Sequence, residues 1–498
     1  MLRTRNILFI QRRWKGGKQR WSVVQKKKSV TERVLENFDD FYGTVFGVRW
    51  NNIRAALLSE QKYIAMVNNF GDIEKTCHIL ESTGAINVKS LFSLAKERSE
   101  IENAVLTPNQ TIYKLDERVR GILKKQEDQE KQSVYPESID KEDKVNHNNP
   151  FNSKNKSTEA NNGTNTNKSL EGAIQTNTEL DTRRIVDTES DSGGLYDYVP
   201  ATKIKGMEDW VPESNYYKYY QTTTDFPLKI ELETKLAYPD SLCLYTYEMG
   251  NCTKFKSPFK CVTGVLSHYL MDGSSILPPL FLDVQPGERV LDACAAPGGK
   301  SLLMLETMHP DILVCNDLQE SRVNRIRKVM NEYLIDFNNL WSGKRCLLTQ
   351  WDARAIEDYE MYDKILVDVP CTTDRHSLHE NDNNIFRTSR LKERLRIPEL
   401  QAAILTNCIR LLKPGGSLVY STCSLSPIQN DGVVHMAMQG AFNEHGITVT
   451  VKDLSLLIQL FSDIFKFENP KGLKYGQMVI PFLPANFGPS YFCKITRN

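Results

Sequence analysis

From Arg289 onward, short apolar runs alternate with segments in which apolar positions recur every three or four residues. The runs RVLDAC (289–294), ILVCND (312–317), CLLTQWD (346–352), KILVDVP (364–370) and GSLVYSTC (416–423) predict strands. The amphipathic stretches 299–308, 320–334, 391–412 and 428–440 predict the helices between them. Such alternation predicts an α/β domain over 289–498, a doubly wound, mostly parallel sheet covered on both faces. Upstream the texture changes three times. Over residues 32–125, apolar positions follow helical spacing through Ile53, Ala56, Leu57 and then Ala65 and Met66, predicting a helical N-terminal region. Residues 126–200 are rich in Asn, Thr, Ser and Lys, with no aromatic residue between Phe151 and Tyr196. A segment of that kind buries too little apolar surface to offset the entropy of ordering, and predicts a disordered insertion. Residues 201–288 read as a globular lead-in to the α/β domain.

Composition narrows the class. Apolar residues make up 40% and charged residues 25% of the 498, as in an ordinary globular protein. No run reaches the eighteen apolar residues of a membrane-spanning helix, so no membrane insertion is expected. The eleven cysteines contain no C-x-x-C pair, which argues against a disulfide framework and against a cysteine-based metal site. The net charge of +1 conceals an asymmetry: residues 1–31 hold ten Lys or Arg and no acid, leaving −9 for the remainder. Apolar residues interleave with those charges, which predicts a mitochondrial transit peptide and a place in the matrix. A basic nucleic-acid-binding arm is the alternative. The run Leu8-Phe9-Ile10 is too short for a secretory signal.

Ligands of doubly wound sheets bind at the carboxyl ends of the strands, so the residues there matter most. The first strand runs into Asp292-Ala-Cys-Ala-Ala-Pro-Gly-Gly-Lys300, a Gly-rich turn opening a helix and a place for a nucleoside. It is not a phosphate loop, because the required first glycine falls at Cys294, and G-x-G-x-x-G is absent. Asp317 closes the second strand, placed to accept hydrogen bonds from ribose hydroxyls. Asp352 closes the third and Asp368 lies in the fourth. Acids at every strand end suit a cationic nucleoside such as S-adenosylmethionine better than ATP or NADP. Two cysteines complete the set, Cys371 after the fourth strand and Cys423 after the fifth. Both face one crevice if those strands are neighbours, which suggests nucleophilic chemistry; spacing leaves open which thiol does what.

These residues resemble the Sun-domain RNA cytosine-5 methyltransferases. The likeness rests on CAAPGGK (294–300), the acid and arginine of NDLQESR (316–322), WDAR (351–354), VDVPC (367–371) and STCS (421–424). PCTTDRHSLHE (370–380), the tail VIPFLPANFGPSYFCKI (479–495) and NFDDFYGTVFGVRWNNIRAALLSEQKY (37–63) are similar to the family's mitochondrial ribosomal-RNA members. The resemblance implies a Rossmann-like class I methyltransferase fold and S-adenosyl-L-methionine as cofactor. It implies Cys423 as the nucleophile, Cys371 as the thiol that assists product release, Asp368 on the cytosine N3/N4 edge, and Lys300 as an aid in positioning the base. It further implies that Cys294, Ala295, Ala296, Pro297, Gly298, Gly299 and Lys300 wrap the cofactor's methionine part. Asp317 binds its ribose, Arg322 and Asp352 are further cofactor positions, and Asp368 borders the same site. The implied partners are mitochondrial ribosomal RNA, the ribosomal subunit being assembled, and a mitochondrial transcription-termination-factor-like protein. A transfer-RNA substrate and a mainly non-catalytic role in ribosome assembly are the alternatives.

RNA contact leaves a fainter trace. Residues 386–396 carry Arg387, Arg390, Lys392, Arg394 and Arg396 against the single acid Glu393. This predicts a phosphate-binding stripe, with an ordinary exposed helix face as the alternative. Arg325, Arg327 and Lys328 form a second basic patch.

Overall fold

A computed structural model describes residues 29–105, 226–470 and 473–498. The disordered insertion and nearly all of the transit peptide expected from sequence lie outside the described residues, as do the end of the helical region and the start of the lead-in. The chain divides into two compact units, residues 1–91 with 222–498, and residues 92–221. Of the second, only residues 92–105 are described.

In chain order the described elements begin with α1 (Val30–Phe46), α2 (Trp50–Leu58), β1 (Tyr63–Val67), α3 (Ile73–Ser82), β2 (Ile86–Asn87) and α4 (Val88–Val105). Next come β3 (Lys229–Leu232), β4 (Leu244–Thr246), β5 (His268–Asp272), α5 (Leu277–Leu282), β6 (Arg289–Asp292), α6 (Gly299–Glu306), β7 (Ile312–Asn316) and α7 (Glu320–Tyr333). The chain continues through β8 (Cys346–Thr349), β9 (Tyr362–Asp368), α8 (Asp374–His379), α9 (Leu391–Leu395), α10 (Ile397–Leu411) and β10 (Leu412–Thr422). It closes with α11 (Val433–His445), β11 (Val449–Asp453), β12 (Gln477–Val479) and β13 (Ser490–Arg497).

The large sheet has the order β3-β11-β13-β10-β9-β6-β7-β8, with β12 paired to β13. Strands β10, β9, β6, β7 and β8 are parallel neighbours, and β13 is inserted antiparallel between β10 and β11. The order reverses at β6, so a crevice opens between the carboxyl ends of β6 and β9. All five predicted strands are present. The strands beyond them were not anticipated: β13, for example, is buried on both faces and so lacks the alternation of a half-exposed strand.

Helix α1 starts from a capping box in which Ser29 Oγ accepts from Glu32 N–H and Glu32 accepts from Ser29 N–H. It therefore begins inside the acid-free segment. Its stripe Val34, Phe38, Tyr42 and Phe46 is buried in the same core as the sheet residues Ile365 and Leu418.

The helical expectation for 32–125 needs correction. Ala65 and Met66 lie in β1, within a four-stranded antiparallel sheet of order β2-β4-β1-β5. YIAMV is a continuous apolar run buried over its last four residues, and such a run does not separate strand from helix by periodicity. Its partners β4 and β5 come from the lead-in, some 180 residues or more later in sequence, so the two regions make one sheet. The predicted helix 391–412 is interrupted at Arg396, where Pro398 opens α10. No helix among the described residues is long and apolar enough to cross a membrane.

Candidate active site

A cleft of about 1380 Å³ lies over the carboxyl ends of β6, β7, β9 and β10. Asp368 pairs with Ser421 in the β9–β10 ladder, which carries the chain ends following both strands to the same place. Cys371 Sγ and Cys423 Sγ consequently stand 3.1 Å apart as free thiols, with Cys423 exposed at the cleft. The neighbouring Cys371 and the protein enclosing the thiol within the cleft, with Asp368 nearby, hold Cys423 above its ordinary pKa although its residue surface faces the cleft, and Lys300 opposes the shift.

Beside the thiols, Lys300 from α6 donates to Asp368 Oδ2 at 2.6 Å, and Ser421 Oγ donates to Asp368 Oδ1 at 2.7 Å. Burial opposes the charge on Lys300, but the Asp368 carboxylate and the other acids outweigh it, and the ammonium pKa is raised. Asp368 is thus held between a cation and a hydroxyl, each occupying one oxygen and leaving further lone pairs for a ligand.

The opposite wall carries Asp317, only 4% exposed, whose Oδ2 accepts from Arg322 Nε at 3.0 Å and from Ala296 N at 3.4 Å. Arg322 also reaches Ala296 O, so it ties the Gly-rich turn to the end of β7. Asp352 is clasped by Arg354 through Nε and Nη2, and these hydrogen bonds hold its carboxyl below the usual range. Asn316, which sequence reading passed over, links three strand ends: Nδ2 donates to Ala293 O and Trp351 O, and Oδ1 accepts from Trp351 N and Thr349 Oγ1. Its only sequence signal is a polar residue closing an otherwise apolar strand.

Cys294, Ala296, Pro297 and Lys300 line the cleft; Ala295, Gly298 and Gly299 do not. Ala295 is buried and donates to Asn316 O. The glycines are required by packing from behind. A Cβ on Gly299 would lie 2.8 Å from the Tyr269 ring, and Gly298 has φ +110° against Ile326. Close approach of protein is thus one reason for both glycines.

The basic stripe divides in two. Arg390, Lys392 and Arg396 line the cleft. Arg387 instead donates to Asn381 O, and Arg394 lies over the Phe386 ring at 4.5 Å, contacts that hold these two away from the cleft. Arg325 of the second patch also borders the cleft.

The residues present suit S-adenosylmethionine. Three carboxylates, Asp317, Asp352 and Asp368, border a space that would receive a sulfonium cation. Leu318 and Trp351, 58% and 50% exposed, offer apolar surface on the Asp317 side for an adenine ring. A parallel sheet of this order with such a strand-end site defines a class I methyltransferase.

Comparison with known proteins carries this to a family. The family model described as "16S rRNA methyltransferase RsmB/F" matches residues 279–459. A "5-cytosine rRNA methyltransferase NSUN4" of Xenopus laevis is 33% identical, covering 96% of this chain and 94% of that protein. The protein of the same description in Bos taurus is 32% identical, covering 100% and 97%. A solved structure described as a methyltransferase homolog protein from Pyrococcus horikoshii has a TM-score of 0.47 at 17% identity, covering 94% of this chain and 99% of that one. The chain belongs to the Sun-domain family of RNA cytosine-5 methyltransferases, and is an S-adenosylmethionine-dependent enzyme of that family.

Proposed function

We propose that the protein methylates C5 of a cytosine in mitochondrial ribosomal RNA through a covalent bond between Cys423 and cytosine C6, in the course of mitochondrial ribosome assembly. The observation that carries the mechanism is the pair of free thiols 3.1 Å apart beside the Lys300–Asp368 pair. Ribosomal RNA as substrate is supported by the descriptions of the full-length relatives. The acid-free, basic segment 1–31 supports the mitochondrial matrix. By family resemblance a transcription-termination-factor-like protein serves as partner.

Cytosine C5 is a poor nucleophile, and addition at C6 divides one difficult step into easier ones. The Cys423 thiol passes its proton to water in the cleft and its sulfur bonds to C6, moving the C5–C6 electron pair to C5. Asp368 accepts from the cytosine N4 edge, and Lys300 offsets the charge that develops on the ring. Bound S-adenosylmethionine would supply an electrophilic methyl group to C5, its sulfur keeping the electron pair of the broken S–CH3 bond. Transfer of the C5 proton to water then returns its electron pair to the C5–C6 bond and expels the Cys423 sulfur, a step served by Cys371. In this reading Cys294, Ala296, Pro297, Asp317, Arg322 and Asp352 hold the cofactor, with Ala295, Gly298 and Gly299 shaping the turn from behind. Arg390, Lys392 and Arg396 meet RNA phosphates.

The test uses the full chain, cofactor labelled in its methyl group, and mitochondrial ribosomal RNA, resolved on a denaturing gel. Wild type should label the RNA, Cys371→Ala should accumulate a protein–RNA adduct, and Cys423→Ala should do neither. An adduct that instead requires Cys371 would reverse the two roles.

A further inference from the structure

Behind the two thiols lies a buried carboxylate to which the mechanism assigns no role. Asp374 is 0% exposed and opens α8, just after the β9 strand end. Its Oδ1 accepts from Thr372 Oγ1 at 2.5 Å, and its Oδ2 accepts from Leu425 N at 2.7 Å and Tyr42 OH at 2.6 Å. Ser424 Oγ lies within 3.3 Å of both oxygens. Thr372 follows Cys371, while Ser424 and Leu425 follow Cys423. The Asp374 N–H also donates to Cys423 O. A single carboxylate therefore fastens both cysteine loops. All four groups that meet it can donate, which fills the roughly four acceptor positions of an ionised carboxylate. Tyr42 brings helix α1 into the same knot, and its ring packs on Phe38 and Trp50 at 4.9 and 5.4 Å.

We propose that Asp374 is a positioning residue that sets the spacing of the two active-site thiols, and that Tyr42 makes this spacing depend on helix α1. The proposal rests on the two-thiol reading above for its catalytic consequence, although the spacing itself can be measured without it. An amide at 374 removes the charge and keeps only one oxygen, so it cannot accept from all four groups. Thr372 Oγ1, which already accepts from Gln429 Nε2, and Ser424 Oγ would have to turn and accept from the NH2 group, weakening the tie between the loops. Cys371 would then reach the adduct less often, while the cofactor wall, held by Asp317, Arg322 and Asn316, would be undisturbed.

The experiment compares wild type, Asp374→Asn, Tyr42→Phe and Asp431→Asn as full-length proteins. Asp431 is a control for loss of a buried carboxylate, since it fastens residues 474–476 and Tyr491 and touches neither thiol. Diamide converts two neighbouring thiols to a disulfide by taking one hydrogen from each, and peptide mass mapping reads the rate for Cys371–Cys423. Thiols held close react at high effective concentration. The rate should fall about 10-fold in Asp374→Asn and about 3-fold in Tyr42→Phe, and stay within about 2-fold in Asp431→Asn. With labelled cofactor and RNA, Asp374→Asn should accumulate adduct as Cys371→Ala does, with KM for the cofactor unchanged within about 2-fold. Wild-type cross-linking in Asp374→Asn and Tyr42→Phe overturns the proposal, as does an equal fall in Asp431→Asn. If Asp374→Asn fails to fold, Tyr42→Phe decides by the same rates. Slowed cross-linking with no RNA adduct in any variant, Cys371→Ala included, supports the spacing role and overturns the two-thiol mechanism instead.

Discussion

On the cofactor wall of the cleft, charged side chains are held by close neighbours in sequence: Asp317 by Arg322 five residues on, and Asp352 by Arg354 two residues on. On the thiol wall the corresponding separations are 52 residues for Cys371–Cys423, 68 for Lys300–Asp368 and 332 for Tyr42–Asp374. A local pair depends on one strand end and the turn beside it. A distant pair exists only once β9, β10, α6 and α1 have all packed. The first arrangement suits a task of binding, which tolerates small displacements; the second suits chemistry, in which a misplacement of about 1 Å can cost about 100-fold.

The largest expected effect separates the walls most clearly. Replacing Lys300 by Met removes the cation on Asp368 and should lower kcat about 100- to 1000-fold, with cofactor affinity changed far less. Titration calorimetry beside single-turnover rates checks this, and a loss confined to affinity would assign Lys300 to the cofactor wall. Asp317→Asn should do the reverse, weakening cofactor binding about 10- to 100-fold by replacing a charge-assisted hydrogen bond, with kcat largely kept.

A third test probes the ground between the walls. Asp292 closes β6, is 1% exposed, and accepts from Ser301 Oγ at 2.6 Å. Burial, with the Asp368 charge nearby and the Ser301 hydrogen bond opposing, raises its pKa from 3.8 to about 7. Between those values the folded protein holds a proton that the unfolded chain has released. The contribution is therefore complete below the unfolded value and is lost as pH rises through the folded one. Asp292→Asn does not titrate, so its denaturation midpoint relative to wild type should rise from pH 5 to pH 8. A constant difference would mean that Asp292 is already ionised in the folded state.

The smallest effect concerns RNA. If Arg396 meets one phosphate, Arg396→Ala should reduce the slope of log affinity against log salt by about 1, and Arg387→Ala, which faces elsewhere, should leave it unchanged. Equal slopes for the two variants would return the stripe to an ordinary exposed surface.

Short-range pattern accounts for everything that was legible in sequence. Five strands, the turn 294–300 and the acids at strand ends depend on residues within one element and its flanking turn, where periodicity and glycine placement carry the information. Tyr42, Asp374 and Asn316 were present in segments already noted, yet nothing local separates a tyrosine on an amphipathic helix from its apolar neighbours. Nor does anything local show that Tyr269 approaches Gly299 from thirty residues earlier in the chain.

By itself, then, the sequence determined the sheet-forming rhythm from Arg289 onward, the acids at the strand ends and the presence of two cysteines, since each depends on one element and its flanking turn. Tertiary structure alone decided that β1 is a strand, because its partners lie in the lead-in and an apolar run takes the form its partners allow. It also decided which three of five basic residues reach the cleft. The thiol spacing belongs to the same group: 3.1 Å depends on the parallel β9–β10 register, and register is a property of paired strands that neither strand carries alone.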